Sequence, residues 1–445
     1  MSEAATLLEK TLAAAQQAGA DDAEVHLSES SHFSVVVRQG GIEELSQATT
    51  RSLHLRVFVG QRLARASASD LSEETLHGLV GRAVERARLA NEDPFAGLPD
   101  EFPTPPPAAA LGLYDPQVES TAPEEGIEMA RETERIALSL DPRVQNSGGA
   151  SFHRGRGQIW LGNTRGFRGD YRGTSTSLGL YLLGQEGAGN GQVSDYWHSA
   201  SRQRAQLESP EQVARTAVER VRRHFGARKV ATQEVPVIFE PVLAAELLSD
   251  IFGAVCGEAV YLRRSFLAGA LGSRVAAEGV SIVDDGLRPG GLGSRPFDGE
   301  GVACRKTVVV ENGVLHNYLC GTYSARKLGR RSTGNGAGNG EAPTNFYLAA
   351  GPHTPEVIID SVAQGLYVTR LLGQGVNLVT GDYSRGAFGV WVEGGAFAYP
   401  VHEVTISNNL RRMLEGMEMV GQDLEFRHSF AAPTIKIAAM TVAGV

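Results

Sequence analysis

Residues 33–59 read FSVVVRQGGIEELSQATTRSLHLRVFV, and the period of this stretch sets the fold class. Phe33, Val35 and Val37 alternate with Ser34, Val36 and Arg38, the two-residue repeat of a strand that buries one face. Gln39-Gly40-Gly41 supplies a turn, and Leu53, Leu55, Val57 and Val59 then share a second strand face. Gly60 and a further strand through Ala64, Ala66 and Ala68 complete an antiparallel meander. Upstream, Leu7, Leu8, Leu12 and Ala15 recur at helical spacing. Downstream, Leu76, Val80, Ala83 and Ala87 do the same behind Asp70 and Glu73, which read as N-cap and capping-box partner. Helix, meander and helix make an α+β module over residues 1–96.

The same order returns further along. Residues 97–123 hold Pro103, Pro105, Pro106 and Pro107 beside Ala108 to Ala110, and read as an extended linker. Residues 124–228 open with a helix through Ile127, Ala130, Glu134 and Ala137. Strand-like stretches follow at 158–161, 174–183 and 192–199, broken by Gly162, Gly184, Gly187, Gly189 and Gly191. Ser209-Pro210, with Gln212 at the capping-box position, opens another helix. The repeated layout suggests a distant duplication. Residues 229–445 begin with a strand, Val235 to Phe239, and a helix from Pro241 through Val255. Many short strands then surround the turn signal Asn312-Gly313, and a helix is expected over 355–364. The expected class is α+β: two helix–meander–helix modules, then a large, mainly antiparallel β domain with a few helices.

Composition narrows the function. The 445 residues carry 42 basic and 51 acidic side chains, a net charge of −9. That balance disfavours nucleic-acid binding, which needs a basic surface to displace phosphate counterions. Cys256, Cys304 and Cys320 form no C-x-x-C pair, and the pattern fits a reducing cytoplasm. No apolar run approaches the ~20 residues of a membrane span, and residues 1–20 lack a signal-peptide layout. Neither nucleic acid nor membrane is expected as a partner. Arginine outnumbers lysine 37 to 5, a bias from which no function follows.

Three local patterns invite chemical readings. His402-Glu403 begins like a zinc-protease H-E-x-x-H, but Ile406 stands where the second imidazole belongs and the flanks alternate like a strand. Asp382, Ser384 and His402 are the sole material for a hydrolytic triad, without a G-x-S-x-G elbow. The Gly-rich stretch 332–340 lacks the Lys-Ser/Thr of a phosphate loop and reads as a loop over a cleft.

The third block carries a resemblance. Phe297-Asp298-Gly299-Glu300-Gly301, Thr322 to Gly329, Ser332-Thr333-Gly334, Gly373-Gln374-Gly375-Val376, Gly381 to Ala387 and Pro400 to Ile406 with Asn409-Leu410 are similar to signatures of the TldD/PmbA family. Asp21 to Val25 extends the match, which resembles the PmbA (TldE) branch more than the TldD branch. The resemblance implies a two-subunit cytosolic peptidase in which TldD-type chains bind zinc through H-E-x-x-x-H and a late Cys. Laid on this sequence, the motif falls on Phe252, Gly253 and Gly257, and no Cys follows Cys320. It therefore implies no catalytic residue and no metal here, with zinc in a TldD-like partner. The chain becomes a non-catalytic subunit of a complex that processes unfolded peptides, with Gly381, Asp382, Tyr383, Ser384 and Arg385 as chamber lining. Arg385 would meet a peptide carboxylate or pin its turn through Asp382. The alternatives are an autonomous hydrolase centred on Ser384 and a homodimeric peptide-binding modulator. The family's association with DNA gyrase and peptide-antibiotic maturation keeps the modulator in view.

Overall fold

The computed structural model describes residues 2–185, 191–373 and 375–444; Gly187, Gly189 and Gln374 lie outside the described residues. The first block folds as α1 (Glu3–Gln17), β1 (Asp22–Arg38), β2 (Gly41–Val59), β3 (Arg62–Ala68) and α2 (Glu73–Leu89). Ser72 rather than Asp70 caps α2: its hydroxyl accepts from the Thr75 amide, while Asp70 holds the Ser72 amide and the Thr75 hydroxyl. The stretch 97–123 is less extended than its prolines suggest. A short 3₁₀ turn, Ala108–Leu111, is stopped by Gly112 in the left-handed region, and Asp115 caps α3 (Pro116–Ser120). The second block is α4 (Pro123–Leu140), β4 (Asn146–Asn163), β5 (Arg168–Gln185), β6 (Gln192–Ser201) and α5 (Pro210–Arg222), whose capping box from Ser209 and Gln212 forms as expected.

The two modules share one sheet. Its order, β3-β2-β1-β4-β5-β6, is symmetric about the β1–β4 pair, and every pairing is antiparallel. The 17 residues of β1 serve both cores. Val25 and Leu27 pack with Leu53, Leu55 and Val57 beneath α1 and α2. Phe33, Val35 and Val37 pack with Phe152, Leu178 and Leu180 beneath α4 and α5. A polar seam separates the cores on that face, where Glu29 joins Arg51 and Arg156, each at 2.8 Å.

The third block contains β7 (Gln233–Phe239), α6 (Pro241–Val255), α7 (Gly257–Tyr261), β8 (Ile282–Asp285), β9 (Lys306–Glu311), β10 (Val314–Leu315), α8 (Thr322–Lys327), β11 (Phe346–Leu348) and α9 (Pro355–Asp360). It continues with β12 (Gln364–Leu372), β13 (Val376–Asn377), β14 (Asp382–Glu393), β15 (Ala396–Asn409), α10 (Leu410–Glu415), β16 (Met417–Val420), β17 (Phe430–Ala431) and β18 (Ile435–Ala443). Strands β12, β7, β18, β15 and β14 pair in turn, and β14 pairs back to β12, so the ring closes. A second sheet runs β10-β9-β8-β11-β17, and α6 packs between it and the ring. The helix expected over 355–364 is shorter, because Gln364 already begins β12.

Two buried arginines fasten the large sheet to this domain. Arg56 of β2 makes bidentate bonds to Glu24 (2.9 and 2.8 Å) and reaches Glu300 at 3.2 Å. Burial works against its charge, but the two carboxylates outweigh that and hold its pKa above the usual value. Arg220 of α5 likewise joins Asp195 of β6 (3.3 Å) to Glu240 at the start of α6 (2.6 Å). Phe297 adds an apolar contact, meeting Phe167 and Tyr171 edge-on at 5.2 Å. It lies over Gly169, where a Cβ would come within 2.6 Å of its ring.

Arg56→Ala strands two buried carboxylates and is expected to cost about 3–5 kcal/mol in urea unfolding. Arg215→Ala, which removes an exposed i,i+4 pair with Glu211, is the control and should cost at most about 0.5 kcal/mol. Equal losses for the two variants would remove Arg56 as a clamp.

Candidate functional site

The positions aligned with the metal motif fall at the end of α6. Phe252 turns into the protein and stacks edge-on against Phe346 of β11 (5.5 Å) and Phe430 of β17 (5.8 Å). Gly253 faces the loop after β13, where a Cβ would touch Leu378 Cδ1 at 3.0 Å. The helix then breaks: Cys256 is extended (φ −62°, ψ 132°), and the chain bridges to Leu319 before α7 starts. The Gly257 amide donates to the Leu319 carbonyl at 2.7 Å, and the Leu319 amide to the Val255 carbonyl at 2.9 Å. Residues 252–257, on which the aligned motif falls, thus span the end of α6 and the start of α7. A Cβ on Gly257 would lie 2.7 Å from Ser324 Oγ and 2.8 Å from Cys320 Sγ.

This neighbourhood does not fit a zinc ion. Phe252, Gly253 and Gly257 bring no donor atoms, and a catalytic site needs about three. Burial pushes the Cys256 thiol well above its usual pKa and the Cys320 thiol to about 12, away from the thiolate a metal requires. Glu341 is already engaged by the amides of Glu258 and Gly321 (3.3 Å each) and by the Ser324 hydroxyl. Among the described residues, no group of three or more His, Cys, Asp or Glu side chains is placed to hold a metal ion.

In the stretch Gly381 to Arg385, Gly381 ends the turn before β14 and Asp382 to Arg385 are the first residues of that strand. Gly381 sits at φ 82°, and Asp382 accepts from the Thr380 hydroxyl at 2.6 Å. Arg385 does not pin this turn through Asp382. Its Nη1 pairs with Glu246 of α6 at 3.1 Å and its Nε donates to the Gly373 carbonyl at 3.1 Å, so a carboxylate already neutralises it. Tyr383 points inward and is buried, and burial raises its hydroxyl pKa. Asp250, one helical turn beyond Glu246, is pushed up to about 6 by burial, with Glu246 adding to the shift and Arg385 opposing it. The sequence reading missed this acidic stripe, although its i,i+4 spacing on an apolar helix was a usable signal.

The other sequence candidates disperse. Ser384 is exposed and pairs with Ser407, while His402 lies five residues along β15 (407 minus 402), about 17 Å away at strand rise. No triad assembles. The Gly-rich stretch is tied down by buried acids: Asp284 accepts from Asn335 Nδ2 (2.7 Å) and Asp298 from the Gly336 amide (2.7 Å). Burial, and then the charge of Glu300, raises the Asp298 pKa above the usual carboxylate range. His198 and His428, 230 residues apart in the chain, meet with their Nε2 atoms 2.6 Å apart, a contact invisible to spacing.

The comparisons with known proteins agree along the chain. Models of the PmbA/TldA metallopeptidase domains match residues 23–87 (domain 1), 116–225 (central) and 232–444 (C-terminal). The Escherichia coli O157:H7 protein called metalloprotease PmbA is 35% identical over 425 residues, 95% of this chain and 92% of that protein. A Bacteroides thetaiotaomicron crystal structure described as a candidate modulator of DNA gyrase superposes with a TM-score of 0.93 at 27% identity, covering 100% of both chains. TldE from Thermococcus kodakarensis gives 0.86 at 22% identity, over 98% of this chain and 100% of that one, a likeness of fold.

Two outcomes test the site geometry. Gly257→Ala forces Cβ against Ser324 and Cys320 and should cost about 1–3 kcal/mol by chemical denaturation; an unchanged midpoint would contradict the packing. Asp250 holds its proton more tightly folded than unfolded, so its penalty grows as pH rises from about 4 through 6. Asp250→Asn should therefore raise the melting temperature at pH 7 and change it less at pH 4.5. The opposite trend would sink the assignment.

Proposed function

Because this chain belongs to the PmbA/TldD metallopeptidase family, we propose that it is the non-catalytic member of a two-chain peptidase, pairing with a TldD-like subunit that holds the zinc. One observation carries the reading: each motif position is filled by packing, with Phe252 in an aromatic cluster, Gly253 under Leu378 and Gly257 against Ser324 and Cys320. A side chain cannot be ligand and filler at once. The scaffold persists while the donors are gone, as in a subunit that shapes a chamber rather than running the chemistry.

The substrate class follows from the same role. An unfolded peptide is held in extended form, largely through main-chain hydrogen bonds, which are blind to side-chain identity. Residues Gly381 to Arg385 would line that chamber through their backbone and through Ser384, since Arg385 is engaged by Glu246. The chain itself needs no cofactor in this reading and works in the cytoplasm without nucleic acid or membrane. No described helix is long and apolar enough to cross a bilayer, and the net charge of −9 suits that setting. A homodimer is the form expected when the partner is absent. The autonomous hydrolase receives no support, because Ser384 and His402 stand strand-lengths apart.

The purified chain alone should leave an unfolded test peptide intact. Mixed with a zinc-loaded TldD-type chain, it should yield cleavage that a chelator abolishes, and Ser384→Ala should leave that cleavage measurable and still chelator-sensitive. Cleavage by the isolated chain, lost on Ser384→Ala, would overturn the proposal.

A further inference from the structure

A small pocket opens where β6 of the large sheet meets the start of α6. Tyr196 of β6, Pro241, Val242 and Ala245 of α6 and Phe430 of β17 form its apolar walls, with His198 and His428 at the side. It leaves about 40 Å³ for the centres of water-sized groups, room for about three of them. That is the bulk of a branched aliphatic side chain. Tyr196 is 41% exposed, which leaves one wall at the protein surface.

The polar groups around this pocket are committed to one another. His198 and His428 share a hydrogen bond, Nε2 to Nε2 at 2.6 Å. Burial, and then His428, hold the His198 pKa down to about 4, and burial also lowers that of His428, so this side is uncharged at neutral pH. Arg427 joins Glu208 and Glu425 at 2.7 Å each and lies over the Trp197 ring at 4.3 Å. Arg220 joins Asp195 and Glu240. Among the described residues, each charged side chain of the wall thus has an opposite partner. A charged ligand gains nothing here to offset its lost water, whereas an aliphatic group gains by leaving water.

The pocket also opens onto a path. Val242, Ala245, Glu246, Asp250 and Gly253 share one partly exposed face of α6. Gly253, aligned with the metal motif, lies eleven residues on (253 minus 242), about 17 Å at helix rise. An extended peptide covers that span in about five residues. We propose that the pocket takes a leucine- or valine-sized side chain of a peptide lying along this face of α6. The inference rests on the peptide-handling role above and deepens it: main-chain bonds hold most of the peptide, while one position is read by size and polarity. Alanine leaves the pocket part empty, phenylalanine exceeds it, and aspartate buries a charge without a partner.

The test is isothermal titration of the full-length chain with N-acetylated, C-amidated pentapeptides Ala-Ala-X-Ala-Ala, where X is Ala, Leu, Phe or Asp. The Leu peptide should bind at least about ten-fold more tightly than the Ala and Asp peptides, and more tightly than the Phe peptide. Ala245→Leu, which fills the pocket from the helix surface, should erase the Leu preference, and Val242→Ala, which removes part of a wall, should weaken it. Circular dichroism melts confirm that both variants fold. Equal binding of the four peptides, no binding of any, or a Leu preference that survives either substitution unchanged would overturn the proposal. Chelator-sensitive cleavage with the partner chain is read separately, so loss of the Leu preference beside intact cleavage removes this inference alone.

Discussion

The buried guanidinium of Arg56, shared by Glu24 and Glu300, is the constraint around which the molecule is arranged. Breaking such a pair on one side strands a charge in a low-dielectric interior, so the three residues hold their places together. Glu24 fixes the point on β1, and Glu300 brings the Asp298–Glu300 turn against it. Asp298 in turn binds the Gly336 amide, and Glu300 the Thr322 amide that begins α8. One ion cluster thus sets the sheet, the Gly-rich loop and α8 in a single frame. Arg220, between Asp195 and Glu240, does the same at the other end of the sheet and fixes the start of α6.

That frame gives the residues of the family signatures a structural duty. Asp298, Glu300, Thr333 and Asn335 are buried hydrogen-bonding residues that hold loops against each other. The positions aligned with the metal motif are packing positions in this structure: a phenyl against two others at Phe252, and hydrogen at Gly257, where a Cβ would strike Ser324. Family membership rests on the whole chain, and the proposed helper role rests on these few atoms.

Much of the fold was legible from local period. The alternation in 33–59, the stripe of α1 and the capping box at Ser209 each form as the residues dictate. What escaped depends on partners distant in sequence. Phe33 to Val37 alternate identically whether they serve the first core or the second, so the β1–β4 pairing that fuses the modules left no local mark. The stretch 158–161 is only the end of β4, which begins at Asn146 and carries Gly155 and Gly157 in its middle. At the site, the absent donors at 252, 253 and 257 came into view only through the family resemblance, and the break at Cys256 needed the bridge to Leu319.

The account stands or falls on donor atoms, and elemental analysis reads them directly. Full-length chain, purified without a partner and dialysed against buffer containing a slight excess of zinc and then against metal-free buffer, is expected to retain far less than one zinc per chain by mass spectrometry. One zinc per chain that survives metal-free dialysis and leaves only with a strong chelator would contradict it.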